Sequence, residues 1–200
     1  MNALIENARN VVFDIGGVLL TFQPETYISR LATGEARSRV TCDMLYGSPM
    51  WEQLDGGLIT EEEMARHAAR SAGDESLWPQ VLPAIQRYHE LLEPMPAAAL
   101  IPQLRALGKR VYVLSNYGPA PFARAEERFR DLFSQVDGMV ISGREKISKP
   151  DPRIFRLLLE RYHLDAGQTV FIDDRAVNVE GARKAGLSGI VYTGMDALLL

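Results

Sequence analysis

The residues best suited to chemistry are scattered along the chain: Asp14, Ser115 with Asn116, Lys149, and the pair Asp173 and Asp174. Their types are those that phosphoryl transfer requires. A carboxylate can attack phosphorus and form an acyl phosphate, and Asp14 is placed for that part. Carboxylates also ligate hard divalent cations, here Asp14 and Asp174 with Asp173 beside them. Magnesium in such a place offsets the charge that otherwise repels a phosphate from these carboxylates. The Ser115 hydroxyl, Asn116 and the backbone amides that follow suit non-bridging phosphate oxygens. Lys149, in KISKPDP, supplies positive charge to the phosphoryl group and the nucleophile. Gly16 and Gly17 let the chain turn sharply beside Asp14 and approach a bound anion, so Gly17 is read as part of the phosphate site. Each group alone has an ordinary explanation. A strand-end Asp often caps a helix, and a lone lysine is usually solvated. The set carries weight only if the fold gathers it.

The elements that must gather it are visible as short apolar runs at residues 10–14, 110–114, 138–142, 169–173 and 189–193. Four or five nearly continuous apolar residues predict strands buried on both faces, as in a parallel sheet. Helices are predicted at 96–107, ending at Gly108; at 152–163, opened by Asp151 and Pro152; and at 177–185, ending at Gly186. The alternation predicts an α/β fold with a Rossmann-like, doubly wound parallel sheet. Each candidate group stands at or after the carboxyl end of a strand, where open parallel sheets bind ligands. Between the first and second runs the rhythm breaks. Helices are predicted at 24–32, 35–46, 61–72 and 77–92, the third with a Thr60–Glu63 capping box. The expected organisation is a Rossmann-like core of residues 1–21 and 95–200. An α-helical cap of residues 22–94 is inserted after the first strand, and Pro94 and Pro96 mark its end.

FDIGGVLL, VLSN, KISKPDPRIF and FIDDRAVNVEGARKAG, in that order, resemble the four motifs of the haloacid dehalogenase-like hydrolase superfamily. The likeness covers nearly the whole core. It is strongest to the branch of bacterial glucose-1-phosphatase-type sugar phosphatases and the N-terminal phosphatase domain of soluble epoxide hydrolases. The resemblance implies magnesium-dependent hydrolysis of a small phosphomonoester, sugar phosphates among the candidates, through an aspartyl phosphate. It implies Asp14 as nucleophile, Ser115 and Lys149 as phosphate ligands, and Asp174 as a metal ligand. It also implies Asp173 as a direct or supporting ligand, the Gly16 carbonyl as a further metal ligand, and Asn178 as support for the last loop. One position departs from the pattern. The family usually carries an acid–base Asp two residues after the nucleophile, and here that position is Gly16. Such a group contributes about 10²–10⁴ in rate. Three outcomes stay open: a group from the cap or a water replaces it, the leaving group needs little protonation, or the enzyme is slow. Two other functions also stay open. A 2-haloacid dehalogenase would use Asp14 without a metal, and the acidic pair would then be a burden. A catalytically weak module would only bind a phosphate ligand.

Bulk properties bound the remainder. Two hundred residues, 46% hydrophobic and 24% charged, suit a globular chain with room for a core and a second unit. A net charge of −4 argues against a nucleic-acid surface. No run approaches the roughly 20 apolar residues that cross a bilayer. The start, MNALIENARN, lacks the signal-peptide pattern. Cys42 is the single cysteine, which rules out an internal disulfide. The expectation is a cytoplasmic enzyme acting on a small phosphorylated metabolite, with no nucleic-acid or membrane partner; no pattern speaks to an oligomeric state. Trp51, Glu52 and Asp55, near the Gly56–Gly57 turn, are candidates for substrate selection, although Trp51 equally suits a cap core. Tyr117 suits either the pocket wall or packing on the cap. His67, His89 and His163 fall in predicted helices without metal-ligand spacing and read as solvated.

Overall fold

The computed structural model describes residues 1–199; Leu200, the last residue of the expected core, lies outside them. Asn10–Phe13 (β1), Arg110–Ser115 (β2), Gly138–Ile141 (β3), Thr169–Asp173 (β4) and Ser188–Val191 (β5) form one sheet in the order β3-β2-β1-β4-β5. Every neighbouring pair is parallel. The chain steps outward from β1 to β2 and β3, then returns to the other side of β1 for β4 and β5. That reversal opens a crevice at the carboxyl ends of the central strands. Register sets the level of the groups that follow. Phe13 pairs with Val113 and with Ile172, so Asp14 and Asp173 emerge at the same height on adjacent strands.

Side chains alternate between the two faces of each strand, and both faces are covered. Val12, Tyr112, Leu114, Val140 and Phe171 pack against Ile154, Phe155 and Leu158 of helix Pro152–Arg161 and Ala182 of helix Ala176–Lys184. Val11, Phe13, Val111, Val113 and Ile172 face a larger cluster that runs on into Tyr27, Met64 and Val81. Double coverage explains why the strand sequences show no polar alternation. The Asp151 carboxylate accepts the Arg153 N–H at 2.9 Å and caps helix Pro152–Arg161, as expected of Asp-Pro.

Between β1 and β2 lie helices Pro24–Leu31, Ala36–Arg39, Pro49–Asp55, Glu61–Ser71 and Trp78–Gln86. Where this insert begins and ends, the two chains run side by side. Thr21 N donates to Glu93 O at 2.9 Å and Met95 N to Leu19 O at 2.8 Å. Thr60 and Glu63 make both bonds of the capping box. No helix among the described residues is long and apolar enough to cross a membrane.

Several helices differ from expectation; besides short unexpected ones such as Ala3–Asn7, Arg130–Phe133, Ser142–Glu145 and Asp196–Leu199, four bear on the site. The predicted helix at 35–46 shrinks to Ala36–Arg39, because Val40 turns extended and buries its side chain before a turn-rich stretch. The predicted helix at 77–92 stops at Gln86 and gives way to a 3-10 turn, Tyr88–Leu91; Pro83 inside it has no N–H to donate. Helices Pro49–Asp55 and Pro119–Arg128 were not expected. Their prolines look like breakers, yet each helix opens on proline at its first position.

Gly181 controls how closely helix Ala176–Lys184 approaches the site. A Cβ there would lie 2.5 Å from the carbonyl oxygen of Pro150, the residue after Lys149. Gly181→Val is expected to lower the unfolding free energy by about 1–3 kcal/mol in urea denaturation, the usual cost of overpacking. An unchanged midpoint would show that this contact has slack.

Candidate active site

A cavity of about 470 Å³ opens at the carboxyl ends of the strands. The core contributes Asp14, Gly16, Ser115, Asn116, Tyr117, Lys149 and Asp174 to its wall; the insert contributes Tyr46, Ser48, Trp51, Glu52, Asp55 and Tyr88. The fold therefore gathers the groups that the sequence scatters from position 14 to position 174.

Lys149 is the hub. Its Nζ lies 2.8 Å from Asp14 Oδ1 and 2.6 Å from Asp173 Oδ2, and the residue is 4% exposed. Asn116 holds the lysine's backbone from both sides. Lys149 N donates to Asn116 Oδ1 at 2.8 Å, and Asn116 Nδ2 donates to Lys149 O at 2.9 Å. Asn116 thus reaches the cavity wall, but its amide is already spent on positioning Lys149. Asp173 is fully buried. Besides the ammonium it accepts the Arg175 N–H at 2.8 Å and Asn178 Nδ2 at 3.0 Å. Asp14 follows β1, and its Oδ1 also accepts the Ile15 N–H at 2.7 Å.

One oxygen from each of Asp14, Asp173 and Asp174 lies within 4.8 Å of the others. Three carboxylates face one ammonium, so the cluster has negative charge left over. Burial pushes Asp14 up to about 7 from its ordinary 3.8, against the pull of Lys149 and with help from the charge of Asp173. Burial, then Asp173, also raises Asp174. Burial alone would lower Lys149, but Asp14 and Asp173 together raise it, so it stays an ammonium. An oxygen-rich, electron-rich cluster with the Asn178 carbonyl oxygen buried and unpartnered beside it fits a hard divalent cation.

Gly17 has φ +74°, and a Cβ on it would lie 2.6 Å from Asp174 Oδ2. Glycine is required there both for the turn and for the approach of Asp174. Its N–H donates to Leu20 O at 2.9 Å, so Gly17 offers a bound anion room and no donor. Gly16 is different. A Cβ there meets only Phe22, at 3.8 Å, so the position has space for a side chain.

Trp51, Glu52 and Asp55 sit on helix Pro49–Asp55, not in a loop, and all three line the cavity. Trp51 also packs on Tyr46 with ring centroids 4.5 Å apart, so it serves the insert's core as well. Tyr117 stacks on Tyr88 at 6.1 Å and joins the core to the insert. The histidines stand apart from the cavity. His67 is not merely solvated, since its Nε2 lies 3.0 Å from Ser48 Oγ. His163 falls past the helix end with φ 51°. Burial pushes the Cys42 thiol up to about 11, which keeps it protonated and unreactive.

Sequence reasoning missed Ser142. Its hydroxyl accepts the Tyr117 N–H at 2.9 Å and donates to Asp55 O at 2.6 Å, tying the loop after β2 to the insert. A signal existed: Ser142 ends the third apolar run, a polar residue at a strand end like the others. The aromatic wall of Tyr46 and Tyr88 left no such signal, because neither residue stands in a motif.

Comparisons with known proteins place the chain in a family and match its fold. A family model described as haloacid dehalogenase-like hydrolase matches residues 8–186. A sesquiterpene phosphatase of Aspergillus oryzae is 27% identical over 92% of this chain and 90% of its own length. A phosphorylated carbohydrates phosphatase of Thermotoga maritima is 29% identical over 95% and 88%. The magnesium complex of a family enzyme from Bacteroides thetaiotaomicron has the same fold, with a TM-score of 0.71 at 24% identity over 94% and 93% of the two chains. The chain belongs to the haloacid dehalogenase-like hydrolase family.

Proposed function

We propose that the chain is a magnesium-dependent phosphomonoesterase that works through an aspartyl phosphate on Asp14. The observation that carries this reading is the single cavity in which Asp14, the Lys149 ammonium and the Asp174 carboxylate meet. An Asp14 oxygen attacks phosphorus, the bond from phosphorus to the ester oxygen breaks, and the alcohol leaves with a proton. Water then attacks phosphorus of the acyl phosphate, releasing inorganic phosphate and restoring Asp14. Lys149 screens the approach of the dianion to a buried carboxylate, and the Ser115 hydroxyl donates to a non-bridging oxygen. Asp14, Asp174 and the Gly16 carbonyl would hold magnesium, with Asp173 behind them. When bound, magnesium supplies the positive charge that the carboxylates leave unbalanced.

Residues 22–94 serve as the cap in this reading. They close the cavity with Tyr46, Trp51 and Tyr88, exclude water and select the leaving group. The two phosphatase relatives are named for a sesquiterpene and for phosphorylated carbohydrates. What those names share is the phosphoryl group, so the substrate class is a small phosphomonoester and the cap decides the remainder. A dehalogenase would employ Asp14 equally well but leaves Asp174 without a task.

Asp14→Asn is expected to abolish turnover of p-nitrophenyl phosphate with magnesium while the melting temperature holds, since the amide keeps the shape and removes a costly buried charge. Chelation is expected to silence the unmodified enzyme. Full activity of the asparagine variant would rule out the covalent mechanism, and chelator-insensitive turnover would favour dehalogenase-type chemistry.

Metal binding has a second signature in stability. Asp14 has a folded pKa of about 7 against an ordinary 3.8. Its contribution is therefore complete below about pH 4 and lost as pH rises through 7. Magnesium binds the charged form and recovers that loss. At 100 times its dissociation constant it adds about 2.7 kcal/mol. For a chain of this size that is a rise of about 5–10 °C in melting temperature. The rise is expected at pH 8 and is expected to shrink at pH 5.5. Equal shifts at both pH values would count against Asp14 as a ligand.

A further inference from the structure

Breaking the ester bond leaves an alkoxide that needs a proton, and Gly16, beside the nucleophile, has no side chain to give one. The cavity wall holds few alternatives. Lys149 is clamped between Asp14 and Asp173. The Tyr46 hydroxyl donates to Ala84 O at 2.7 Å, inside the insert. Burial makes the Tyr88 and Tyr117 phenols still weaker acids than usual. The Ser48 hydroxyl is engaged with His67 and the Met50 N–H. Glu52 reaches the cavity rim but is exposed to solvent, which leaves its carboxyl without the burial that holds a proton.

Asp55 remains. It is the last residue of helix Pro49–Asp55, whose Trp51 and Leu54 are buried in the insert. Its backbone carbonyl is pinned by Ser142 Oγ, which also holds the Tyr117 N–H two residues after Ser115. Asp55 thus lines the cavity from a fixed point, and its carboxyl feels the charges of Asp14 and Lys149. We propose that Asp55 is the general acid that protonates the leaving oxygen and then, as a carboxylate, the base that activates water.

The assignment rests on the phosphatase reading above. In the first step Asp14 bonds to phosphorus, the ester bond breaks, and the Asp55 proton moves to the departing oxygen, leaving a neutral alcohol. In the second step the Asp55 carboxylate takes a proton from water as the water oxygen bonds to phosphorus. The acyl–phosphate bond then breaks, and Asp14 is free again with Asp55 neutral. The surroundings suit this cycle. Burial holds the Asp55 carboxyl protonated well above the usual range; the Gly118 N–H and Lys149 oppose this, while the charges of Asp14 and Glu52 add to it. Tyr88 and Tyr117 flank the group and bring no charge of their own.

The test is kcat/KM of Asp55→Asn with magnesium across phosphate monoesters of graded leaving group. The series runs from 2,4-dinitrophenyl through phenyl to an alkyl phosphate. Loss of a general acid predicts a fall of about 10²–10⁴ for phenyl and alkyl phosphate and little change for the dinitrophenyl ester. Loss of the base predicts a stoichiometric burst of dinitrophenolate, because the phosphoenzyme accumulates. Gly16→Asp, where a Cβ meets only Phe22, is expected to restore phenyl phosphate turnover in the Asp55→Asn background. Asp55→Ala, which keeps the backbone bond to Ser142, serves the same series if the asparagine variant does not fold. An equal loss for every ester without a burst would make Asp55 a group that positions the insert, and the proposal would fall while the phosphatase reading stood. An unmodified enzyme that turned over no ester would overturn both.

Discussion

A buried ammonium with a carboxylate on each side is the interaction on which the rest of the site depends. Lys149 Nζ lies between Asp14 and Asp173, with all three side chains almost out of water. Desolvating such charges is expensive, and the cluster holds only because each polar group has further partners. Asn178 and the Arg175 N–H complete Asp173. Asn116 grips the lysine's backbone. The three charges come from β1, β4 and the loop after β3, so the parallel register must hold to within a residue. A slip of one position would turn Asp14 or Asp173 toward the opposite face.

The pairing is deliberately incomplete in charge. Asp174 adds a third carboxylate to a cluster with one ammonium. Burial raises Asp14, Asp174 and Asp55, and the neighbouring carboxylates add to it, Asp173 for the first two and Asp14 for Asp55. The aromatic wall makes that reach effective. Tyr46 against Trp51 and Tyr88 against Tyr117 replace water with rings, so the local dielectric is low and charges act over longer distances. A divalent cation and a phosphate dianion fit such a site as a pair, each offsetting the other's cost.

Much of this was legible because it depends on burial pattern and chain order. Apolar runs without alternation marked the strands, strand-end polarity made Asp14, Ser115 and Asp173 candidates, and the KISKPDP segment after the third strand made Lys149 one. What escaped depends on partners distant in sequence. Helix Pro49–Asp55 carries a local start signal, Ser48 capping Met50 N ahead of a first-position proline, but it is only seven residues long and its hold comes from burial of Trp51 and Leu54 in the insert. Residues 35–46 have helical composition up to Val40, whose extended backbone is chosen by the core it fills. The task of Asn116 was hidden because its two bonds reach residue 149. Asp55 showed only as an acidic residue before a glycine turn. Its environment is made by Asp14, Gly118 and Lys149, which only folding brings near.

The vacancy at Gly16 then has a structural meaning. A proton donor two residues from the nucleophile would be present whether or not the insert sat on the core. A donor on helix Pro49–Asp55 is present only while that helix is docked. The docking contacts are specific: Ser142 to the Asp55 carbonyl, Lys146 to the Gly57 carbonyl, and Arg124 to Glu61. On this assignment the closure that shuts out water also delivers the proton. An undocked insert leaves Asp14 able to meet a phosphate but without an acid for the leaving group. On the same assignment, chemistry on substrates that did not let the insert seat would be suppressed, and the fit of the leaving group against Tyr46, Trp51 and Tyr88 would condition catalysis as well as binding.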